Sequence, residues 1–238
     1  MTAEATTSMR RRRSRNAVAR PAGQHQARGW PVPAGLVALS AIPLTAGTFR
    51  LIQLAGGPDV MPADHRFTGF PAALVMHITG AAVFVVLGAL QFVPRIRRRH
   101  RAWHRRAGRV AAVTGLAVAA SALWLTLFYE AQPGTGDLLY VFRLVFSAAM
   151  AACLLLGFAA IRRRDIATHR AWMIRAYAIG LGAGTQAFTK GVGGAVFGAG
   201  ELRGDLFKAA GWVINLAIAE WAVRRPAYRG RVRAAVQS

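Results

Sequence analysis

The stretch Ala81-Ala82-Val83-Phe84-Val85-Val86-Leu87 is apolar at every position, and the chain soon turns to Arg95-Ile96-Arg97-Arg98-Arg99-His100-Arg101. A helix that is apolar all round faces lipid or other helices rather than water. A dense arginine run just beyond it is the mark of a cytoplasmic loop at the end of a membrane span. Working outward from this pair, a bilayer core of ~30 Å asks for ~20 mostly apolar residues per helix. Six stretches meet that length: Pro33–Leu54, Phe70–Val93, Val110–Tyr129, Leu138–Ile161, Trp172–Phe197 and Leu206–Val223. Buried strands are a poor alternative, because the runs are too long and too rich in Ala and Leu.

The whole composition agrees. Of 238 residues 54% are hydrophobic and 17% charged, with 31 Lys+Arg against 9 Asp+Glu and a formal net charge of +22. Soluble domains carry about 25% charged residues. The cations also alternate along the chain. They crowd the N-terminal tail, the loop after the second span (on to Arg105, Arg106 and Arg109), the loop after the fourth (Arg162, Arg163, Arg164, Arg170) and the C-terminal tail. The other connections hold Asp59, Asp64, Glu130, Asp137, Glu201 and Asp205. By the positive-inside rule both termini lie in the cytoplasm. Trp30, Trp103, Trp172 and Trp221 fall at inner span ends and Tyr129 and Tyr140 at outer ends, where amphipathic rings settle. The expected architecture is therefore an all-α integral membrane six-helix bundle over residues 30–225. A disordered basic cytoplasmic tail is expected over 1–29 and a basic cytoplasmic tail over 226–238. A cleavable signal does not fit, because the first apolar run is long enough to span.

Several function classes lose support here. The single cysteine, Cys153, leaves no intramolecular disulfide and no Cys-based zinc site. No Ser or Cys nucleophile stands in an elbow motif, and there is no His-Glu-x-x-His zinc helix. No Asp or Glu falls near the middle of a span, which disfavours a carboxylate proton relay. Nucleic acid is not expected as a partner, because topology already accounts for the arginines. The glycines of the fifth span, Gly180 to Gly194, read as close helix packing. Arg50, Arg143 and Lys190 read as snorkelling side chains near an interface.

The histidines carry the remaining ligand chemistry. His104 and His169 precede the third and fifth spans, which run in the same direction, so they sit at similar depth. The plain reading has them capping helix starts and meeting lipid phosphates among arginines. The sharper one has them holding a bis-imidazole haem b, with arginines on the propionates. His77 lies about two turns into the second span, where a buried hydrogen-bonded role is expected and no partner histidine faces it.

Four motifs in fixed order then bring a family into view: His77-Ile78-Thr79-Gly80; Leu87-Gly88-Ala89-Leu90-Gln91-Phe92 with Arg95; His104-Arg105-Arg106-Ala107-Gly108-Arg109; and His169-Arg170-Ala171-Trp172-Met173-Ile174-Arg175. Together they resemble domain-of-unknown-function family 2306, a group of predicted bacterial membrane proteins, over roughly Phe70 to Lys190. Ala111 departs from the aromatic that the family commonly places two residues after its Gly-Arg pair. The resemblance implies a multi-span inner-membrane protein and no particular reaction. The layout is also distantly similar to transmembrane b-type cytochromes. On that likeness His104 and His169 are axial ligands, Arg109 and Arg175 lie near the propionates, Gln91 hydrogen-bonds the site, and His77 marks an entry point on the other side. The expected partners are a bilayer with anionic lipids and, on the haem reading, an electron donor or acceptor. The competing expectation is a binding or transport module for an anionic lipid or small anion.

Overall fold

The computed structural model describes residues 30–62, 64–67 and 71–237, with residues 226–237 as backbone only. The expected N-terminal tail, with His25, lies outside the described residues. Among the described residues the chain is all-α, with no strand. The helices are α1 (Pro31–Leu39), α2 (Ala41–Leu54), α3 (Ala72–Gln91), α4 (Pro94–Arg99), α5 (Arg101–Phe128), α6 (Asp137–Arg162), α7 (Ile166–Gly180), α8 (Gly182–Phe197) and α9 (Glu201–Gln237). A single 3-10 turn, His65–Phe67, precedes α3. The backbone of α9 thus runs on as helix through most of the expected C-terminal tail.

Among the described residues four helices are long and apolar enough to cross a membrane: α3, α5, α6 and α9 over Glu201–Arg225. The pair α1–α2 makes a fifth, bent by 49°. Pro43 explains the bend, since its ring would clash with the carbonyl one turn back, at residue 39, and it offers no N–H to continue the ladder. The chain changes direction at Ser40, whose hydroxyl bonds the Leu36 carbonyl instead (3.3 Å). The expected fifth span, Trp172–Phe197, is corrected: it is two helices, α7 and α8, broken at Leu181. Its flanking glycines and its Arg175, Gln186 and Lys190 keep it from being one continuous apolar rod.

The two pieces nevertheless follow one course. Along α9, in order, Glu220 meets Arg175, Asn215 donates to the Ala178 carbonyl (3.1 Å) and accepts from Thr185 (2.7 Å), Gly211 packs on Gln186, and Phe207 packs on Gly193. The pair α7–α8 therefore lies antiparallel to α9 over its length. The most extensive packing is α3 on α5, α6 on α7 and α8 on α9.

The core sits where α3, α5, α6 and α7 converge, around Phe84, Met150, Leu154 and Tyr177. Tyr177 donates to the Val85 carbonyl (2.8 Å) and leans on Phe84 and Phe92. Gly88 admits that ring, since a Cβ there would overlap it. The turn from α6 to α7 is a Schellman motif: Asp165 N–H reaches the Ala160 carbonyl and Arg164 N–H the Ile161 carbonyl, both at 3.0 Å. Its left-handed position is filled by Arg164 (φ 62°) rather than glycine. The outside of the bundle is apolar, with Val113, Phe128, Leu155, Phe158, Val196 and Ile218 all exposed. Water does not tolerate so much contiguous apolar surface, and lipid does.

Candidate functional site

One end of the bundle carries α4, the start of α7 and the last part of α9, and with them most arginines. Here the structure places the expected histidines. His104 and His169 are each the fourth residue of their helix, α5 and α7. The His169 Nδ1 lies 2.8 Å from the Gly157 carbonyl, so it carries the proton and donates. His104 Nδ1 is buried with no partner among the described residues, and His169, Arg97 and Arg105 lie within electrostatic range of it. Gln91 approaches from α3, its Oε1 lying against Gly108 and its amide nitrogen on the Leu87 carbonyl. Arg109 is exposed. Arg175 is already engaged: Glu220 takes its guanidinium at 2.5 and 3.2 Å, and its cation lies over the Trp172 ring at 4.7 Å. Among the described residues no three His, Cys, Asp or Glu side chains form a metal-ligand group. His100-Arg101-Ala102-Trp103 and His169-Arg170-Ala171-Trp172 share their four residue types but not their placement, because His100 is the N-cap of α5 whereas His169 lies inside α7.

The opposite end holds what the sequence did not reveal, a cavity of about 720 Å³ between α3, α5, α6 and α9. Its inner walls are apolar: Leu74, Ala81, Val118, Phe146, Met150 and Ile179. Its mouth is formed by loop residues, including Asp64, Glu130 and Gln132. Into it come Arg143 from α6, Lys208 and Trp212 from α9, and Gln186 from α8. Arg143 lies within electrostatic range of Arg66 and Asp205, and Lys208 of Arg143, Lys190 and Asp205. Two nearby carboxylates hold hydrogen bonds, although the second oxygen of Asp205, Oδ1, is buried without a partner among the described residues. Asp64 forms a two-pronged pair with Arg66 (2.8 and 2.6 Å), and that hydrogen bond holds its carboxyl below the ordinary carboxylate value. Asp205, 1% exposed, accepts from the N–H groups of Gly136 (2.9 Å) and Leu139 (3.1 Å) at the start of α6. The expectation that Asp205 belongs to a loop is corrected, since it is a buried helix cap.

His77 also lines this cavity, buried and hydrogen-bonded as expected: its Nδ1 is 3.1 Å from Ser121 Oγ and 3.3 Å from the Val118 carbonyl. Arg143 does not snorkel away from the bundle but turns inward to the cavity. The signal available in the sequence was the placement of Arg143 and Lys208 at similar distances from their helix starts. Nothing in the sequence alone put those two starts side by side.

The motifs His77–Gly80, Gln91, His104–Arg109 and His169–Arg175 thus run through the walls and both ends of one bundle. The family described as predicted membrane protein, DUF2306, matches residues 74–223, most of that bundle. The chain belongs to the DUF2306 family. No curated protein and no solved structure matches it. The match begins three residues before His77 and ends three residues after Glu220, so the DUF2306 region takes in both histidine sites, the cavity cations and the Arg175–Glu220 pair. It leaves α1 and α2 outside.

Proposed function

We propose that this DUF2306 protein is a multi-pass binding or transport module for an anionic small molecule with an apolar body, taken up in the cavity beside Arg143 and Lys208. The observation that carries the reading is the meeting of those two cations with apolar walls in one cavity, where Asp64 is taken by Arg66 and Asp205 lies within electrostatic range of both cations. A volume of about 720 Å³ is of the size that holds a cofactor- or drug-sized ligand. Two cations that share the buried carboxylate of Asp205 keep a net positive charge in partly desolvated surroundings, which favours an anion. Taken with the arginine distribution, the reading has six passages, counting α1–α2 and α7–α8 as one broken passage each. Both termini then face the cytoplasm of a bacterial inner membrane, and the cavity opens on the outer side. The antiparallel course of α7–α8 along α9 supports that count.

The test is calorimetric titration of the purified chain in neutral detergent with decyl phosphate, decanol and decyltrimethylammonium. The phosphate is expected to bind at least tenfold more tightly than the other two, and Arg143→Gln or Lys208→Gln to remove most of that difference. Equal binding of decanol would overturn the reading.

A second reading is kept for the arginine-rich end, favoured by the His169–Gly157 hydrogen bond. An imidazole whose Nδ1–H is held by a backbone carbonyl presents Nε2 as a ligand nitrogen, the usual arrangement of metal-bound histidine. On it, His104 and His169 hold haem b, Arg109 and Gln91 border the group, and the protein exchanges electrons with a donor or acceptor. An absorbance spectrum of the dithionite-reduced protein decides it. Sharp reduced bands lost in both His104→Ala and His169→Ala support the reading, and a colourless preparation from haem-replete cells sinks it. Without haem, the same residues are left to anionic lipid head groups.

A further inference from the structure

The cavity contains one hydrogen-bonding group whose direction is fixed by its neighbours. The His77 Nδ1 faces the Val118 carbonyl, which accepts and never donates. Ser121 cannot supply the missing proton without giving up its own bond, because its hydroxyl already reaches the same carbonyl at 3.0 Å. The proton therefore sits on Nδ1, shared between Val118 O and Ser121 Oγ, and the other nitrogen, Nε2, is left with a lone pair. Ser121 is wholly buried, and it is locked between α3 and α5 together with the imidazole. Among the described residues Nε2 has no hydrogen-bond partner. His77 lines the cavity, and its Nε2, unlike His104 Nδ1, Gln186 Nε2 and Asp205 Oδ1, is not a fully buried atom.

The site thus has cationic donors from α6 and α9, hydroxyl and amide groups such as those of Ser147 and Gln186, and from α3 the unshared lone pair of His77 Nε2, with apolar side chains between them. A plain acid or phosphate ester satisfies the donors and leaves the acceptor facing hydrocarbon. A buried acceptor left without a donor loses its hydration and gains nothing in return. We infer that the ligand of this cavity carries a hydroxyl donor beside its anionic group, and that His77 Nε2 accepts from it. The chemistry is that of a hydroxylated acid or a glycerol phosphate, whether as a lipid head group or as a free solute. The inference rests on the anion reading above and names the substrate class within it. His77 is on this account a binding residue whose rigid tautomer sets specificity.

The experiment pairs decanoyl glycerol phosphate, which has a free hydroxyl, with decanoyl propanediol phosphate, which lacks it. Both are titrated into the full chain in neutral detergent, alongside the chain-free pair 2-hydroxypropyl phosphate and propyl phosphate. The wild-type protein is expected to prefer the hydroxylated lipid by about tenfold, the size of one hydrogen bond to an otherwise unpaired buried group. In His77→Phe the preference should vanish while affinity for the hydroxyl-free lipid stays within about twofold, which also shows that the variant is folded. In His77→Gln, whose amide oxygen is again an acceptor, part of the preference should return. Equal binding of the two lipids by the wild-type protein would overturn the inference and leave the anion reading standing. Binding of neither would overturn both. A His77-dependent preference seen equally with the chain-free pair would support the hydroxyl contact and assign the ligand to the solute rather than the lipid.

Discussion

Asp205 and Gly136, from α9 and the start of α6, are joined by a 2.9 Å hydrogen bond in which a buried carboxylate accepts from a helix N-terminal N–H. The same oxygen serves Leu139, so one side chain satisfies two orphan donors of a neighbouring helix. Removing it leaves both N–H groups buried and unpaired. Asp205→Ala is expected to cost about 1–3 kcal/mol of stability. Asp205→Asn keeps an accepting oxygen and should cost less. Thermal melts in detergent check both, and equal losses would show that the charge toward Arg143 and Lys208 matters more than the cap.

Arg164 occupies the left-handed corner of the α6–α7 turn, where a side chain costs about 1–2 kcal/mol relative to glycine. Arg164→Gly should therefore raise stability by roughly 1 kcal/mol, a direction opposite to most substitutions. A lower melting temperature would mean that the Arg164 side chain contributes more than its backbone costs.

Tyr177 fills the space that Gly88 leaves and caps the Val85 carbonyl. Tyr177→Phe keeps the ring and loses the bond, a change of about 1 kcal/mol. Gly88→Val forces the ring aside and should cost about 1–3 kcal/mol. If the two combined in one protein give less than the sum of their effects, the ring and the hydroxyl act as one unit.

The acid side of the stability profile should report Asp64 and Asp165. Each carboxyl titrates below its ordinary value of 3.8 in the folded chain, Asp64 because Arg66 hydrogen-bonds it and Asp165 because the Thr168 N–H does. Their folded values are depressed, so their stabilisation is complete above the unfolded value and is lost as pH falls through the folded one. Unfolding followed from pH 5 downward should steepen below about 4 and flatten in the Asp64→Asn, Asp165→Asn double variant. A double variant with an unchanged slope would mean that other carboxyls govern acid unfolding.

Much of the fold was legible because lipid imposes a simple code. Runs such as Ala81–Leu87 and the arginines after them mark spans and ends without reference to any partner. The bend between α1 and α2 and the break at Leu181 were not legible in that code, because Pro43 and the glycines around Leu181 alter backbone course while leaving the apolar count nearly intact. That His104 and His169 each stand in the first turns of a helix was also readable, since the apolar runs begin just after them. The cavity was not. It depends on which helices are neighbours, and only the folded bundle brings Arg143, Lys208 and His77 to one space. Asp205 misled for the same reason: a carboxylate beside a predicted span end looks solvated until the neighbouring helix N-terminus is placed against it.

The broken pair α7–α8 bears on how the protein is made. Arg175, Gln186 and Lys190 make this segment a poor candidate to leave a translocation channel for lipid by itself. Arg175 and Thr185 find their counterparts on α9, in Glu220 and Asn215, and α9 is synthesised only afterwards. Settling of α7–α8 is then coupled to α9: the ribosome must deliver α9 before Arg175 and Thr185 have their partners, and a chain halted ahead of Glu201 would leave both without them.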